Sequence, residues 1–450
     1  MVTERAKSEA IIALNRLGLG ARPGELARIA SDPHGWAQAQ ITNNVVSAQI
    51  DSPSMRDVIL EFRAIRKKDK PEDKKEARKA MRREAKTLMS RHLVAVAGTE
   101  MPFRERLVWF WLNHFTVSMT KPALVLAVGA YRRDAIEPHL TGRFEDMLSA
   151  VVHHPAMLVY LDNHQSIGPN SKVGRRRKRG LNENLAREIL ELHTLGVDGG
   201  YTQNDVIEFA KILTGWSLDP RNENGNGFGF FNRRHEPGPK QLLGKRYQSR
   251  TGEAEGQSAL KDLAAHPSTA HHIATKLAVH FIADDPPSTS VKRLEDSFNR
   301  SGGDLKVLYE TLLTDPELWR AEQRKFRAPF DYVMATVRAM GNFGGAMETD
   351  RLGKRIAQSL ELMGQPLFRA PSPKGWPDVA SHWAGSEAIL ERADWAWTLA
   401  RRSPNRDASS LLDDVLGPQV SERTRFVVVG AADPAQGLAL LFSSPEFQRR

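Results

Sequence analysis

The sequence predicts a mainly α protein, a large multi-helical single domain with long loops and at most a few short strands. Apolar residues recur with the 3.6-residue period of a helix along most of the chain, and no series of short alternating runs indicates an extended sheet. The chain has 450 residues, 40% of them hydrophobic, which is enough for a sizeable core. Such a length often corresponds to two or three domains, but the continuous helical pattern favours one domain over residues 1–450.

Residues 61–93 are predicted to form a charged helical excursion that is interrupted near Pro71. Lys and Arg outnumber Asp and Glu there, as they do in the whole chain, whose net charge is +10. Because acidic residues are interleaved and aromatic residues are nearly absent, a solvated helix face is favoured over a nucleic-acid interface. A second basic segment lies in a predicted loop at residues 170–180. This loop either holds an anion at the mouth of a site or is simply mobile.

The segment "RERLVWFWLNHFTVS" (104–118) is apolar on nearly every side and is predicted to be a buried helix. Its polar members Asn113 and His114 need hydrogen-bond partners if they are buried. Aromatic residues beside an Asn and a His suit a pocket wall, but they suit a hydrophobic core equally well.

A recurring pattern marks corners between helices. An apolar helix end is followed by one small or polar residue, then by Pro and a new apolar run. Pro fits the first position of a helix, and the residue before it can cap that helix. The pattern occurs at His154–Pro155, His266–Pro267, Asp315–Pro316 and Ser444–Pro445. The corner position favours structural roles for the two histidines.

The stretch "GLNENLAREILELHTLG" (180–196) is predicted to be a helix with a leucine-rich face. On a helical wheel Asn184, Glu188 and Glu191 fall together beside that face, whereas His193 points elsewhere. The paired carboxylates either perform acid–base chemistry, bind a cation, or anchor arginines from the core. His193 is expected to be a hydrogen-bonded core histidine.

Capping and turn residues delimit the next helix. Thr202 and Asp205 have the spacing of a capping box, and Gly215 stands where the helix would stop. Short strands are allowed in "GFGFFN" (227–232) and "RFVVVGA" (425–431).

Polar residues in loops and at helix ends supply further candidates. "RRHEPGPK" (233–240) and "SPKGWPDVASHW" (372–383) are Pro/Gly loops that contain His235 and Trp376. Loops of this kind are common locations for binding sites.

Several enzyme classes lack their motifs. The chain contains no cysteine, which excludes disulfides, thiolate metal sites and cysteine nucleophiles. Phosphate-binding loops, dinucleotide fingerprints, zinc-protease helices, nucleophile elbows, calcium loops and di-iron Glu-x-x-His pairs are also absent from the sequence. Any cofactor or metal therefore stays unknown. With no secretory signal and no run of about 18 apolar residues, we expect a soluble, cytoplasmic protein without a transmembrane segment.

Seven strings together resemble the bacterial domain of unknown function 1800 family. They are "FWLNHF", "YRRDAIEPHLTGRFEDML", "HPAMLVYLDN", "GLNENLAREILELHTLGVDGGYTQNDV", "ILTGW", "HEPGPKQLLG" and "PKGWPDVASHW". The resemblance spans almost the whole chain and implies no established reaction. It implies that many relatives are exported and are often encoded beside proteins that look like sulfatases or alkaline phosphatases. The chain departs from the family in lacking an evident export signal. It also has Leu112 where relatives often carry a histidine, which weakens a metal hypothesis.

The favoured hypothesis is an enzyme or ligand-binding protein acting on an anionic or polar substrate. Glu188 or Glu191 would be the acid–base or cation-binding group, and His114 or His235 would move protons. The predicted substrate-binding residues are Arg133, Asp162, Asn163, Asn184, Arg187 and Trp376.

Two alternatives stay open. The first is a non-catalytic helical scaffold that binds a partner protein, such as the sulfatase-like or phosphatase-like protein encoded nearby. The second, less favoured, is nucleic-acid binding through the two basic segments.

Overall fold

Helices dominate the structure, a computed structural model that describes residues 3–42, 48, 51–177, 180–222, 225–248, 252–322, 325–341, 346–403 and 406–450. One hydrophobic core includes residues from Ala10 near the start to Phe447 near the end. The predicted mainly α, single-domain fold is therefore confirmed. None of the described helices combines the length and hydrophobicity needed to cross a membrane.

The α-helices, numbered in chain order, are α1 Glu4–Ile12, α2 Glu25–Ile29, α3 Pro33–Ala39, α4 Met55–Lys67, α5 Pro71–Gly98, α6 Pro102–His114, α7 Ala127–Tyr131, α8 Phe144–His153, α9 Pro155–Tyr160, α10 Lys172–Arg177, α11 Asn184–Glu188, α12 Gln203–Ile212, α13 Gly252–Ala264, α14 Pro267–Phe281, α15 Ser288–Ser301, α16 Leu305–Leu313, α17 Pro329–Met340, α18 Ala346–Leu362, α19 Ala380–Trp383, α20 Ser386–Arg401, α21 Ala408–Leu416, α22 Glu422–Val429 and α23 Pro434–Ser443. Three five-residue π-helical segments continue α1, α7 and α11, and they are Ala13–Leu17, Arg132–Ile136 and Ile189–His193. Short 3₁₀ segments are Pro122–Leu124, Glu137–His139, Asn163–Gln165, Asn232–Arg234, Pro316–Trp319 and Gly417–Gln419.

Four short strands form two antiparallel pairs among the described residues. Strand β1 (Trp216–Leu218) pairs with β2 (Phe228–Phe230), and β3 (Lys240–Leu242) pairs with β4 (Lys245–Tyr247). Strand β2 confirms the strand allowed in residues 227–232.

The strand allowed in residues 425–431 is wrong, because these residues belong largely to helix α22. The Ser421 hydroxyl accepts a hydrogen bond from the Thr424 N–H at 3.2 Å and begins this helix. Local capping thus outweighs the β propensity of the valine run.

The charged excursion is two helices, as predicted. Pro71 stands in the first turn of α5 and separates it from α4, and most side chains over residues 72–84 are exposed. The basic segment at 170–180, predicted to be a loop, contains the short helix α10, and residues 178 and 179 lie outside the described residues.

The helix corners follow the predicted pattern. At each corner the residue before Pro accepts a backbone N–H of the new helix or turn, and these acceptors are His154, His266, Asp315 and Ser444. The capping box of Thr202 and Asp205 is also formed. The corner at His266 begins α14, and this helix forms one wall of the cavity described below.

Helices α6 and α14 cross in the core. Phe103 packs against Phe281 with ring centroids 5.9 Å apart, and Phe110 packs against His280 at 5.3 Å. The segment that follows α18 packs on α6, where Phe368 stacks on Trp109 with ring centroids 5.3 Å apart. It is also tied to the chain just after α6, where the Met119 N–H donates to the Phe368 carbonyl at 2.8 Å. These three elements surround the largest cavity described below.

Candidate functional site

A cavity of about 520 Å³ lies between α6, α14, the start of α17 and the loop that precedes α19. This volume suits a small organic ligand. Most of the lining is apolar and aromatic, and includes Trp109, Phe110, Leu112, Val117, Val279, Phe330, Leu367 and Phe368.

Asn113 fixes the loop over the cavity. Its Oδ1 accepts the Trp376 N–H at 2.7 Å and its Nδ2 donates to the Trp376 carbonyl at 2.9 Å. These two hydrogen bonds give the Asn113 side chain the partners that were expected for it. Gly375, just before Trp376, has φ +80°, and a Cβ there would lie 2.5 Å from the Asn113 carbonyl oxygen. Both the backbone conformation and the close approach require glycine at this position.

Replacing Gly375 with alanine is expected to lower the free energy of unfolding by about 1–3 kcal/mol, because the loop must leave this conformation or strain it. Urea denaturation measures the change. The control is Gly98→Ala near the end of α5, where a Cβ meets nothing within 4 Å. That variant should be neutral or stabilised by up to about 1 kcal/mol. Equal stabilities of the two variants would contradict the assignment.

The loop delivers Asp378 to α14. The Asp378 carboxylate accepts a hydrogen bond from Nδ1 of His280. The Lys325 ammonium lies 3.5 Å from the same carboxylate and donates to the Asp378 carbonyl at 2.5 Å. Burial by itself would raise the pKa of Asp378, but His280, Lys325 and Arg450 hold it well below its usual value. Asp378 is therefore ionised at neutral pH.

His280 is held in one tautomer by this contact. Burial lowers the pKa of its imidazole, and this effect outweighs the opposing influence of Asp378. The ring is neutral at pH 7, with the proton on Nδ1 beside the carboxylate and the lone pair on Nε2. Nε2 is buried and has no hydrogen-bond partner within the described part of the chain.

Lys276 lies one helical turn before His280 and lines the same cavity. No hydrogen bond or ion pair joins its ammonium to another residue that the structure describes. Burial lowers the pKa of Lys276 to about 8, with Asp378 opposing and Lys374 assisting the change. About one-tenth of the amine is therefore neutral near pH 7.

The second cavity-lining carboxylate, Asp331, is already neutralised. Its oxygens lie 3.0 Å from Arg106 and 2.9 Å from Arg450. Burial opposes ionisation, but the two arginines lower the pKa of Asp331 to about 2. Since both carboxylates have cationic partners, Lys276 is left as an uncompensated cation on the cavity wall.

Three neutral histidines lie near Lys276, and they are His114, His193 and His272. His114 contacts the His193 carbonyl through Nε2 at 3.1 Å, and His272 contacts the Leu192 carbonyl through Nε2 at 3.0 Å. Burial lowers the pKa of all three, to about 3 for His193 and about 4 for His272. The His114 ring centroid is 6.1 Å from each of the other two, and no group of metal-binding residues is found among the described residues.

A second cavity of about 410 Å³ adjoins the first. It is lined by residues around Gly196 and by the first turns of α14, including His271 and His272. Thr275 lines both cavities.

Among the residues predicted from sequence, His114 and Trp376 line the large cavity. The other predicted site residues lie elsewhere in the described structure, so the candidates do not gather in one pocket.

The predicted carboxylate edge lies outside the cavity. Glu188 is partly buried, and burial followed by the charge of Glu191 raises its pKa. Glu191 accepts a hydrogen bond from Tyr201 at 3.5 Å. Asn184 is exposed in the first turn of α11, and Arg187 binds Glu183 and Gln203, each at 3.0 Å. In these contacts neither Glu188 nor Glu191 binds an arginine of the core.

The predicted regular helix over 180–196 needs correction. The α-helix begins at Asn184 and becomes π-helical at Ile189, so a regular wheel misplaces the residues that follow. His193 is a core residue as expected, packed 5.2 Å from Phe115. Its ring nitrogens, however, have no hydrogen-bond partner among the residues described.

His235 belongs to a separate buried cluster. Its Nδ1 contacts the Thr214 carbonyl at 2.9 Å and its Nε2 lies 3.2 Å from Glu255. Lys240 binds the same carboxylate at 2.7 Å. The polar groups of this cluster are therefore paired with one another.

The remaining predicted residues have local partners. Arg133 binds Asp134 at 2.8 Å, and Asp162 pairs with Lys121 at 2.7 Å. Asn163 is buried and donates to two backbone carbonyls.

Sequence reasoning missed His280, Lys276 and Asp378. The string "HIATKLAVH" contains the signal, because His272, Lys276 and His280 recur every four residues on one helix face. Asp378 stands two residues after the predicted Trp376, in the same Pro/Gly loop.

Comparison with known proteins identifies the family. The family described as "Protein of unknown function (DUF1800)" matches residues 12–449, so the chain belongs to it. No curated protein and no solved structure matches the chain.

Proposed function

We propose that this member of the DUF1800 family is an enzyme that moves a proton on a small, largely apolar substrate with one electron-rich polar group. The observation behind the proposal is the placement of His280 and Lys276 one turn apart on the wall of an apolar cavity, with His280 bound to Asp378.

His280 is the general base and acid. Asp378 keeps the proton on Nδ1 and stabilises the imidazolium that forms when Nε2 accepts a proton.

Lys276 receives the electron-rich end of the substrate. It lines the cavity, as the exposed Lys374 also does, and neither Asp331 nor Asp378 pairs closely with it among the described residues. A charge developing on a substrate oxygen would be stabilised strongly in this apolar setting.

Deuterium exchange tests the proton transfer itself, whatever the complete reaction is. The protein is incubated in deuterium oxide with a panel of small apolar aldehydes, ketones and keto acids, and proton NMR follows exchange beside the carbonyl. The expected result is exchange of at least one compound, slowed about 10²–10⁴-fold by His280→Gln.

The matched control is His271→Gln, on the same helix but outside the large cavity, which should keep the wild-type rate. Exchange that is absent across the panel, or equal in both variants, would refute the proposed role of His280.

A second candidate function is protein binding, favoured by exposed apolar side chains on α20 and α22. Leu390 is 67% exposed and Phe426 is 79% exposed, and both helices pack against α23. Large apolar side chains left exposed can mark an interaction surface. If the partner is a sulfatase-like or phosphatase-like protein, as the family resemblance implies, Phe426→Asp should weaken its binding in calorimetry while leaving the fold intact. An unchanged affinity would exclude this surface.

A further inference from the structure

We propose that the substrate is an aldehyde or ketone and that Lys276 forms an imine with its carbonyl carbon. This inference rests on the proposed function and specifies how Lys276 engages the substrate.

The surroundings of the Lys276 side chain suit an amine that acts as a nucleophile. Its side chain lines a cavity large enough for a small carbonyl compound, and no carboxylate lies in hydrogen-bond contact with it among the described residues. An anion-binding lysine needs its charge, whereas an imine-forming lysine needs a free lone pair.

The surrounding groups favour the neutral amine. The nearest titratable or charged groups on every side are Asp378 and Lys374 on the loop, His114 on α6, His193 in the π-helical segment, and His272 and His280 on α14. Asp378 is already bound to His280 and Lys325, and the four histidines are uncharged at neutral pH. Burial, which lowers the pKa of Lys276 to about 8, is therefore the main influence.

The step balances without an added oxidant or reductant. The Nζ lone pair attacks the carbonyl carbon, and a C–N bond forms as the C=O π electrons move to oxygen. Both protons of the attacking amine pass in turn to that oxygen, which leaves as water when the C=N bond forms. Protonation of the imine then acidifies the neighbouring C–H bond, and His280 removes that proton.

Reductive trapping with benzaldehyde and cyanoborohydride at pH 7 tests the inference on the intact protein. Limiting benzaldehyde should place one benzyl group per chain on Lys276, located by peptide mass spectrometry. The neutral fraction of an amine with pKa about 8 exceeds that of an ordinary lysine on the order of 10²-fold, so Lys276 should be labelled before the exposed lysines.

Lys276→Arg keeps the cation but cannot form an imine, and should lose the fast label. Lys292→Arg, on the exposed face of α15, should retain it. Circular dichroism establishes that each variant is folded. Labelling spread evenly over exposed lysines in wild-type protein would overturn the inference.

The outcomes separate the two proposals. If deuterium exchange depends on His280 but survives in Lys276→Arg, proton transfer stands and imine formation fails. If Lys276 is labelled rapidly but no exchange occurs, the imine stands and the role of His280 fails.

Discussion

Replacing Arg132 with methionine is expected to lower the free energy of unfolding by about 3–5 kcal/mol. The Arg132 side chain is fully buried, and its guanidinium binds both oxygens of Glu105 at 2.6 and 2.7 Å. It also lies 2.6 Å from Glu137. Glu105 is itself completely buried, so the variant would leave a carboxylate in the core without this partner. The unpaired charge, more than the lost contact, makes the substitution costly.

Urea denaturation of Arg132→Met beside Arg133→Met provides a matched comparison. Arg133 is the next residue, but its side chain is 41% exposed and pairs with the partly exposed Asp134. An ion pair of that kind contributes less than about 1 kcal/mol. Adding Glu105→Gln to Arg132→Met should restore part of the lost stability. Similar losses for the two single variants would show that Arg132 is not the buried anchor.

Which of these two neighbouring arginines is buried could not be predicted from the sequence. Both stand in "YRRDAIEPH", and the sequence favoured Arg133 for a functional role. The segment is π-helical over Arg132–Ile136, so a regular helical wheel could not assign the inward residue. What decides between them is Glu105, a residue 27 positions earlier in the chain.

Features encoded in consecutive residues were predictable. The corner at His266 and the capping box at Thr202 depend on residues two or three positions apart, and both were inferred correctly. The buried helix α6 follows from its unbroken apolar character. For the same reason the mainly α class was accessible from periodicity.

The site was accessible only in part. Trp376 and His114 were selected because loops and buried polar residues draw attention, and both line the cavity. The contact between His280 and Asp378 joins residues 98 positions apart and depends on how the loop after α18 crosses α6. No local pattern specifies that crossing. The Glu188 and Glu191 edge attracted attention by composition alone, and composition does not reveal whether a cavity lies beside it.

Asp378→Asn is expected to slow the His280-dependent exchange by about 10²–10⁴-fold. The amide can neither stabilise the imidazolium nor enforce the Nδ1 proton, since its NH₂ group can donate to Nδ1 and leave the proton on Nε2. It also weakens the contact with Lys325, so some loss of stability should accompany the loss of rate. Rates per folded molecule, with the folded fraction taken from circular dichroism, separate the two effects.

The pH profile distinguishes positioning by Asp378 from a purely structural contribution. The base form of His280 is the neutral ring, so the acidic limb of the wild-type rate should rise with pH through a midpoint below 6.5. Asp378 raises the pKa of His280 by hydrogen bonding and charge, although burial lowers it more. Removing the carboxylate charge must therefore lower that pKa further, and the acidic limb of Asp378→Asn should move to lower pH. A variant that is slower but keeps the wild-type midpoint would show that Asp378 supports the loop without acting on His280. A midpoint that moves to higher pH would contradict the proposed contact between the two residues.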